Sequence, residues 1–459
     1  MKINSRILGL ILGTVVFLGL WHIPINGLNS DGQLFLALTL MTVIFWAFGV
    51  AQMGFVSGLY LALLIVFRVA TPDVVMSPWM GSTMYFIIGA YIIASAVKHS
   101  GLGDRIAMYV ISKYITTFKS IIVVIFALQI ILSLLIPNSW ARSLMIMAIM
   151  KQVIDNANIV KKDAITIGLT VFASSVPASM LFLTGESAIN LLILEYVDQS
   201  VGWLQWLIYM GPPAVGATLL TMLLIMLVFK PVGSLQIDRQ GMADKFKALG
   251  EMTFKEKKLM AWLALTIVVW MTDSWHGIDI GWATLGLVMA MGLPVIGDVI
   301  DAKQWADVPV HVLIFLTAAI AIGRVGLVVG ANEFIASLMF PMSTPENMIL
   351  MGIIVISAAV IVHMLLGSVI AVLSVVIPAT LAFTSGLDIN PLIPIFITYI
   401  AVFGHYVLPF HSISILVGVG EENGLFESKD VMKLGLPLLI MVFIVVLAIG
   451  LPWWHMVLN

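Results

Sequence analysis

Long apolar stretches alternate with short polar breaks along almost the whole chain. A helix needs about 20 apolar residues to cross the hydrocarbon core of a bilayer. Stretches approaching that length run over 7–23, 33–50, 54–70, 82–98, 205–229, 258–272, 281–296, 309–326 and 432–451. Four others are interrupted. The segment 120–150 breaks at Pro137-Asn138-Ser139, 164–197 at Thr184-Gly185-Glu186, 348–383 at Gly367-Ser368, and 391–419 at Pro409. If 120–150 and 348–383 are hairpins that return to their own side, eleven transmembrane helices remain. The expected fold is therefore an all-α integral membrane protein with eleven transmembrane helices and two re-entrant hairpins.

The pattern also repeats. The segment 230–257 is the one long polar stretch, and it reads as a cytoplasmic linker. An odd first helix lies in 1–32, a first repeat in 33–229 with the hairpin 120–150, and a second repeat in 258–459 with the hairpin 348–383. Each repeat runs two spans, a span ending in an amphipathic stretch, a broken hairpin, an interrupted span and a last helix. The odd first helix makes the second repeat enter the membrane in the opposite sense. Inverted repeats with broken helices point to a transporter whose substrate lies near the midplane.

Composition agrees. Of 459 residues, 61% are hydrophobic and 10% charged, against about 25% charged in a soluble domain. The net charge of -2 gives no bulk field for a nucleic-acid partner. The chain has no cysteine, which excludes disulfides, thiolate nucleophiles and thiolate metal sites. Lys2 and Arg6 precede the apolar Ile7–Leu20, but Trp21-His22-Ile23-Pro24 follows in place of a small-residue cleavage pattern. This stretch is expected to be a retained helix rather than a signal peptide.

The basic residues orient the spans. With the N-terminus in the cytoplasm, only Arg68, Arg142 and Arg324 of the 22 fall inside spans; the rest lie on cytoplasmic segments or span ends. The outer loops 24–32, 71–81, 198–204, 273–280, 327–347 and 384–390 carry none. The expected location is the cell (inner) membrane.

Arg142 and Glu186 are the costliest residues in the apolar stretches, because a charge at a helix centre costs at least ~2.5 kcal/mol. Arg142 offers a planar fork for carboxylate, sulfonate or sulfate oxygens. Glu186 can bind a cation or take a proton. A static salt bridge between the two is the plain alternative. At Pro137-Asn138-Ser139, freed carbonyls and polar side chains can ligate sodium, and a half-helix N-terminus can hold an anion; a packing kink is the plain alternative there. Arg324 lies at the end of a span and reads as a snorkelling residue. His99, His276, His311, His363, His405 and His411 show no metal-ligand spacing, and only His411 falls in a site segment.

Several segments resemble a known family. The run from Phe86 to Ala107 (FIIGAYIIASAVKHSGLGDRIA) is similar to the fourth helix of the divalent anion:sodium symporter family. Ile136-Pro137-Asn138-Ser139 matches the first of that family's two Ser-Asn-Thr hairpin tips. Glu256-Lys257-Lys258, Trp270 to Gly277, Gly202 to Pro213 and Leu425 to Pro437 resemble further family segments. The resemblance implies a homodimer in which a mobile transport domain moves in an elevator-like displacement past a scaffold. It also implies two sodium ions at the hairpin tips, with a carboxylate substrate between them.

Carried over, the substrate site comprises Asn138, Ser139, Arg142, Thr184, Glu186, Ser187, Ser368, His411 and Ser412. The sodium sites comprise Ser133, Asn138, Gly185, Gly367 and Ser368, holding one or two ions. The second tip lacks the family's Asn, and the two Gly-Thr-Pro-Pro-Asn turns are replaced around Thr184-Gly185-Glu186-Ser187 and Pro409-Phe410-His411-Ser412. The expected function is secondary active transport of a small anion of the di/tricarboxylate, sulfonate or sulfate class, cation-coupled or by exchange. A Na⁺/H⁺ antiporter with Glu186 as ion ligand is the alternative within transport. A membrane enzyme is the alternative of another class, disfavoured because no catalytic cluster is apparent.

Overall fold

The computed structural model describes residues 5–157, 159–232, 244, 246–408, 411, 412, 415 and 425–458. Every regular element among them is helical. The first half contains α1 (Ser5–His22), α2 (Ser30–Ala47), α3 (Met53–Val66), α4 (Thr83–Ser100), α5 (Leu102–Tyr114), α6 (Phe118–Ser133), α7 (Ser139–Asn156), α8 (Lys161–Leu181), α9 (Ser187–Leu194) and α10 (Trp203–Val228). The second contains α11 (Phe254–Met271), α12 (Ile280–Gly292), α13 (Val310–Val328), α14 (Ala331–Met339), α15 (Met348–Leu366), α16 (Val369–Thr384), α17 (Leu392–Phe403) and α18 (Ser428–Ile444). A π-helical turn, Val445–Gly450, carries α18 on into Leu451–Leu458. Among the described residues, seven helices are long and apolar enough to cross a membrane, and an eighth if α4 and α5 count as one span.

The element order recurs in the two halves, and its punctuation recurs with it. α4 bends into the amphipathic α5 by 64° at Gly101, and α13 gives way to the amphipathic α14 at Gly330. Both glycines sit in the left-handed region, with φ of 76° and 70°, which a side chain makes costly. α6 and α7 are separated by residues 134–138, and α15 and α16 by Gly367-Ser368. Then come α8, long enough to cross at 21 residues, and the shorter α17. At 1.5 Å per residue, α12 (13 residues) and α17 (12 residues) are about 20 and 18 Å long. That is less than the ~30 Å hydrocarbon thickness, so their spans need flanking non-helical chain.

α17 corrects one expected boundary. The segment 391–419 was expected to break at Pro409, but the helix stops at Phe403. Pro409 and Phe410 lie outside the described residues. Beyond that end the Val407 amide hydrogen goes to the His411 ring, Val407 N to His411 Nδ1 at 3.1 Å. A side-chain acceptor competes there with the helical ladder.

The halves interleave. α3 packs on α13, α4 on α12, and α10 on α18. One apolar cluster gathers α2, α3 and α13; a larger one runs from α4 through α18. Val215, Leu219, Leu223 and Leu227 form an exposed stripe along α10 at four-residue spacing, the face a spanning helix offers to lipid. α1 buries only Gly9 and Gly13.

Candidate functional site

The first break is built from its local sequence. Past Ser133 the chain leaves the helix through 3₁₀-type bonds, Leu134 N–H to Ile131 O and Leu135 N–H to Leu132 O. Pro137 has no amide hydrogen to continue the ladder. Asn138 then caps α7, its side-chain oxygen accepting from Ala141 N at 2.9 Å, the arrangement that satisfies an orphan amide. The second break follows the same plan. Gly367, with φ of 70°, donates to His363 O at 2.9 Å, and the Ser368 side chain caps α16 through Ala371 N at 3.5 Å.

The third break, between α8 and α9, folds against the first. Ser187 N–H reaches Pro137 O at 3.3 Å. The Glu186 carboxylate accepts from the Ser139 amide at 2.7 Å. Glu186 is buried, and its negative charge lies on the N-terminus of α7, where unpaired amides and the helix dipole favour an anion. The protein's own carboxylate thus occupies an anion position.

Arg142 lies one turn into α7 and is fully buried. The static salt bridge with Glu186, the plain alternative in the sequence, is not what its bonds show. Its guanidinium donates to Ile136 O at 2.6 Å, Gly185 O at 2.5 Å, Ser179 Oγ at 2.6 Å and Gln129 Oε1 at 3.3 Å. Among the described residues no ion pair joins it to Glu186. Both charges serve the same junction, but through neutral partners. Carbonyls freed by two broken helices, the groups expected to ligate a cation, are held here by a guanidinium.

Asn138, Ser139, Arg142, Thr184, Gly185, Glu186 and Ser187 therefore meet at one junction. Thr184 Oγ1 accepts from the Trp203 indole at 3.4 Å, and Ser187 Oγ donates to Thr184 O at 3.4 Å. Ser133 turns back into its own helix and donates to Ile130 O at 2.7 Å. Gly367 and Ser368 form the second break. His411 packs against His363, in the last turn of the helix that ends at this break. Ser412 O accepts from Ile415 N at 3.1 Å.

Four supporting residues were missed from the sequence. Gln129 and Ser179 receive Arg142. Asn190 donates to Ser179 O and Phe182 O at 3.0 Å each, closing the broken end of α8. Tyr399 of α17 donates to Asn190 Oδ1 at 2.6 Å and ties the second half to this junction. Gln129 is a lone polar residue in an apolar stretch, the one clear signal among the four. Arg324 also departs from expectation: it pairs with Glu195 at 2.5 Å, and Thr83 donates to the same carboxylate.

Comparisons with known proteins agree with this architecture. The profile described as "Sodium:sulfate symporter transmembrane region" matches residues 4–459. A protein of Cupriavidus necator named only "Membrane protein" is 26% identical over 390 residues, covering 82% of this chain and 75% of its own. The inner membrane protein YbhI of Escherichia coli is 23% identical over 413 residues, 84% and 82% of the two chains. The sodium-dependent dicarboxylate transporter SdcS of Staphylococcus aureus is 23% identical over 288 residues, 58% of this chain and 54% of its own. In fold, the chain is similar to the crystal structure of the Alcanivorax borkumensis YdaH transporter, with a TM-score of 0.51 at 14% identity over 94% and 99% of the two chains. The protein is a membrane transporter of anions and not an enzyme. With the family profile matched from end to end of the helical core, the chain belongs to the sodium:sulfate symporter family, the divalent anion:sodium symporters.

Proposed function

We propose that this chain is a secondary active transporter of a small multivalent anion of the di/tricarboxylate, sulfonate or sulfate class. The observation that carries the reading is the Glu186 carboxylate on the Ser139 amide. A helix end that accepts one carboxylate can accept another. In this reading the substrate anion displaces Glu186 from α7, and protonation of Glu186 also frees the position. Arg142 stays in place as a fixed positive charge behind the junction.

The coupling follows from the same groups. Ile136 O and Gly185 O bond to Arg142, so the first break carries a tethered cation where its carbonyls would otherwise hold sodium. We therefore assign fewer sodium ions to this chain than the two expected from family resemblance, with the balance supplied by a proton or a counter-anion. The two halves act as inverted repeats about the junction, re-entrant at α6–α7 and α15–α16. Alternating access is by elevator-type displacement in a homodimer in the inner membrane, N-terminus in the cytoplasm. The repeated order of bends and breaks supports this arrangement.

The test is uptake into proteoliposomes, with succinate and sulfate as probes, under separate Na⁺, K⁺ and proton gradients. Saturable anion uptake is expected, accelerated by a proton gradient or internal anion more than by Na⁺. Proton movement driven by Na⁺ in the absence of any anion would instead identify an antiporter with Glu186 as its ion ligand.

A further inference from the structure

Three histidines far apart in sequence meet beside the second break. His363 lies in the last turn of α15, His405 just beyond α17, and His411 in the non-helical chain that follows. All three are buried, with exposures of 0%, 1% and 1%. Ring centroids are 4.8 Å apart for His363 and His405, 4.6 Å for His363 and His411, and 5.8 Å for His405 and His411. One ring nitrogen from each lies within 4.8 Å of the others. We propose that His363, His405 and His411 bind one divalent transition-metal ion of the zinc class.

The hydrogen bonding separates this site from ordinary packing. A buried imidazole normally satisfies both nitrogens. No hydrogen bond of ordinary geometry satisfies either nitrogen of His363, which lies against the backbone of Gly367 and His411, or Nε2 of His405. His405 Nδ1 bonds to Ala401 O at 2.6 Å. A carbonyl only accepts, so the ring hydrogen is on Nδ1 and the lone pair on Nε2. That is how metal-binding histidines are held, with the second nitrogen fixed by a backbone carbonyl. His411 is the reluctant ligand. Its Nδ1 accepts from Val407 N at 3.1 Å, and this nitrogen reaches the ion only by giving up that neutral bond.

The donor set selects the ion. Three imidazole nitrogens suit Zn²⁺, Co²⁺, Ni²⁺ or Cu²⁺, and are poor ligands for Na⁺, Mg²⁺ or Ca²⁺, which take oxygen. Metal–nitrogen bonds of about 2.0–2.1 Å in a tetrahedron bring the nitrogens to about 3.4 Å. Side-chain torsions can supply that contraction. Three protein ligands leave a fourth position open for water or an anion. The inference rests on these three residues and stands apart from the transport reading.

The test uses the full chain in detergent, purified with a histidine-free tag and stripped with EDTA. Co²⁺ is titrated for visible d–d bands, and Zn²⁺ is titrated by calorimetry and by thermal melting. One ion per chain is expected, with a Zn²⁺-dependent rise in Tm that EDTA reverses. His363→Gln and His405→Gln are each expected to weaken binding by more than about 100-fold, beyond the 10–100-fold that loss of a supporting partner costs. His411→Gln is expected to weaken it less, and His276→Gln to leave it unchanged. Failure of the wild-type chain to take up one Co²⁺ or Zn²⁺ overturns the proposal, whatever the folding of the variants. So does full uptake by a His363→Gln/His405→Gln chain.

Discussion

Arg142 shows what a single buried charge costs and what it holds. A guanidinium has five N–H donors, and Gln129, Ile136, Ser179 and Gly185 receive four of its contacts inside the protein. Removing it leaves buried acceptors unpaired at about 1–3 kcal/mol each. Arg142→Gln is therefore expected to lower stability by several kcal/mol, seen as a clear fall in Tm in detergent, and to abolish uptake. A wild-type melting curve for Arg142→Gln would show that the bonds are dispensable. Glu186→Gln keeps an oxygen for the Ser139 amide but removes the charge. A carboxylate at a helix N-terminus contributes about 0.3–2 kcal/mol, so anion affinity is expected to rise from about twofold to 30-fold. The pH profile of uptake is expected to flatten. Unchanged affinity together with an unchanged pH profile would remove Glu186 from the mechanism. Both charges were legible in the sequence because lipid makes them expensive. Their partners were not, because the contacts exist only when two breaks some 45 residues apart fold together. The histidines were missed for a similar reason: a search for close spacing cannot find His363, His405 and His411.

Helix breaks are the most legible elements of this protein. Proline, glycine and capping residues marked 137–139, 184–186 and 367–368 before any coordinates, because apolar surroundings demand that every backbone group be paired. The fourth break opens at Phe403, ahead of the expected Pro409, and just past it Val407 N–H bonds to His411 Nδ1. The bends at Gly101 and Gly330 went unassigned, since a glycine's φ is not written in its neighbours. Neither glycine has any atom within 4 Å of a built Cβ, so φ alone decides the effect of a side chain there. Gly101→Ala and Gly330→Ala are each expected to cost about 1–2 kcal/mol. Gly19 sits inside α1, also with nothing within 4 Å. Gly19→Ala is expected to gain about 0.5–1 kcal/mol from helix propensity. Thermal melts of the three variants read the difference; equal effects at all three would mean that the bends yield freely.

At the scale of the molecule, the recurring order of helices and breaks was legible and the contacts between the halves were not. The same order of bends and breaks is visible in each half of the sequence, but contacts between halves leave no local trace. Arg105 reaches Glu256 at 2.9 Å and Gly250 O at 2.8 Å. Asp273 accepts from Trp203 N at 2.8 Å, and Arg324 meets Glu195. These ties, with Tyr399 on Asn190, join the two halves. The central linker carries seven basic residues between Lys230 and Lys258, while the loops at 327–347 and 384–390 carry none. Positive residues are retained in the cytoplasm, so the charge pattern predicts Asp244 inside and Asp388 outside. Both are exposed, and the chain has no native cysteine to confuse labelling. In intact cells, a membrane-impermeant maleimide is expected to label Asp388→Cys at once and Asp244→Cys only after permeabilisation. Labelling of Asp244→Cys from outside would invert the orientation. Labelling of both from outside would break the inverted repeat itself, because α11 to α16 carry the chain from one position to the other and an odd number of crossings must separate them.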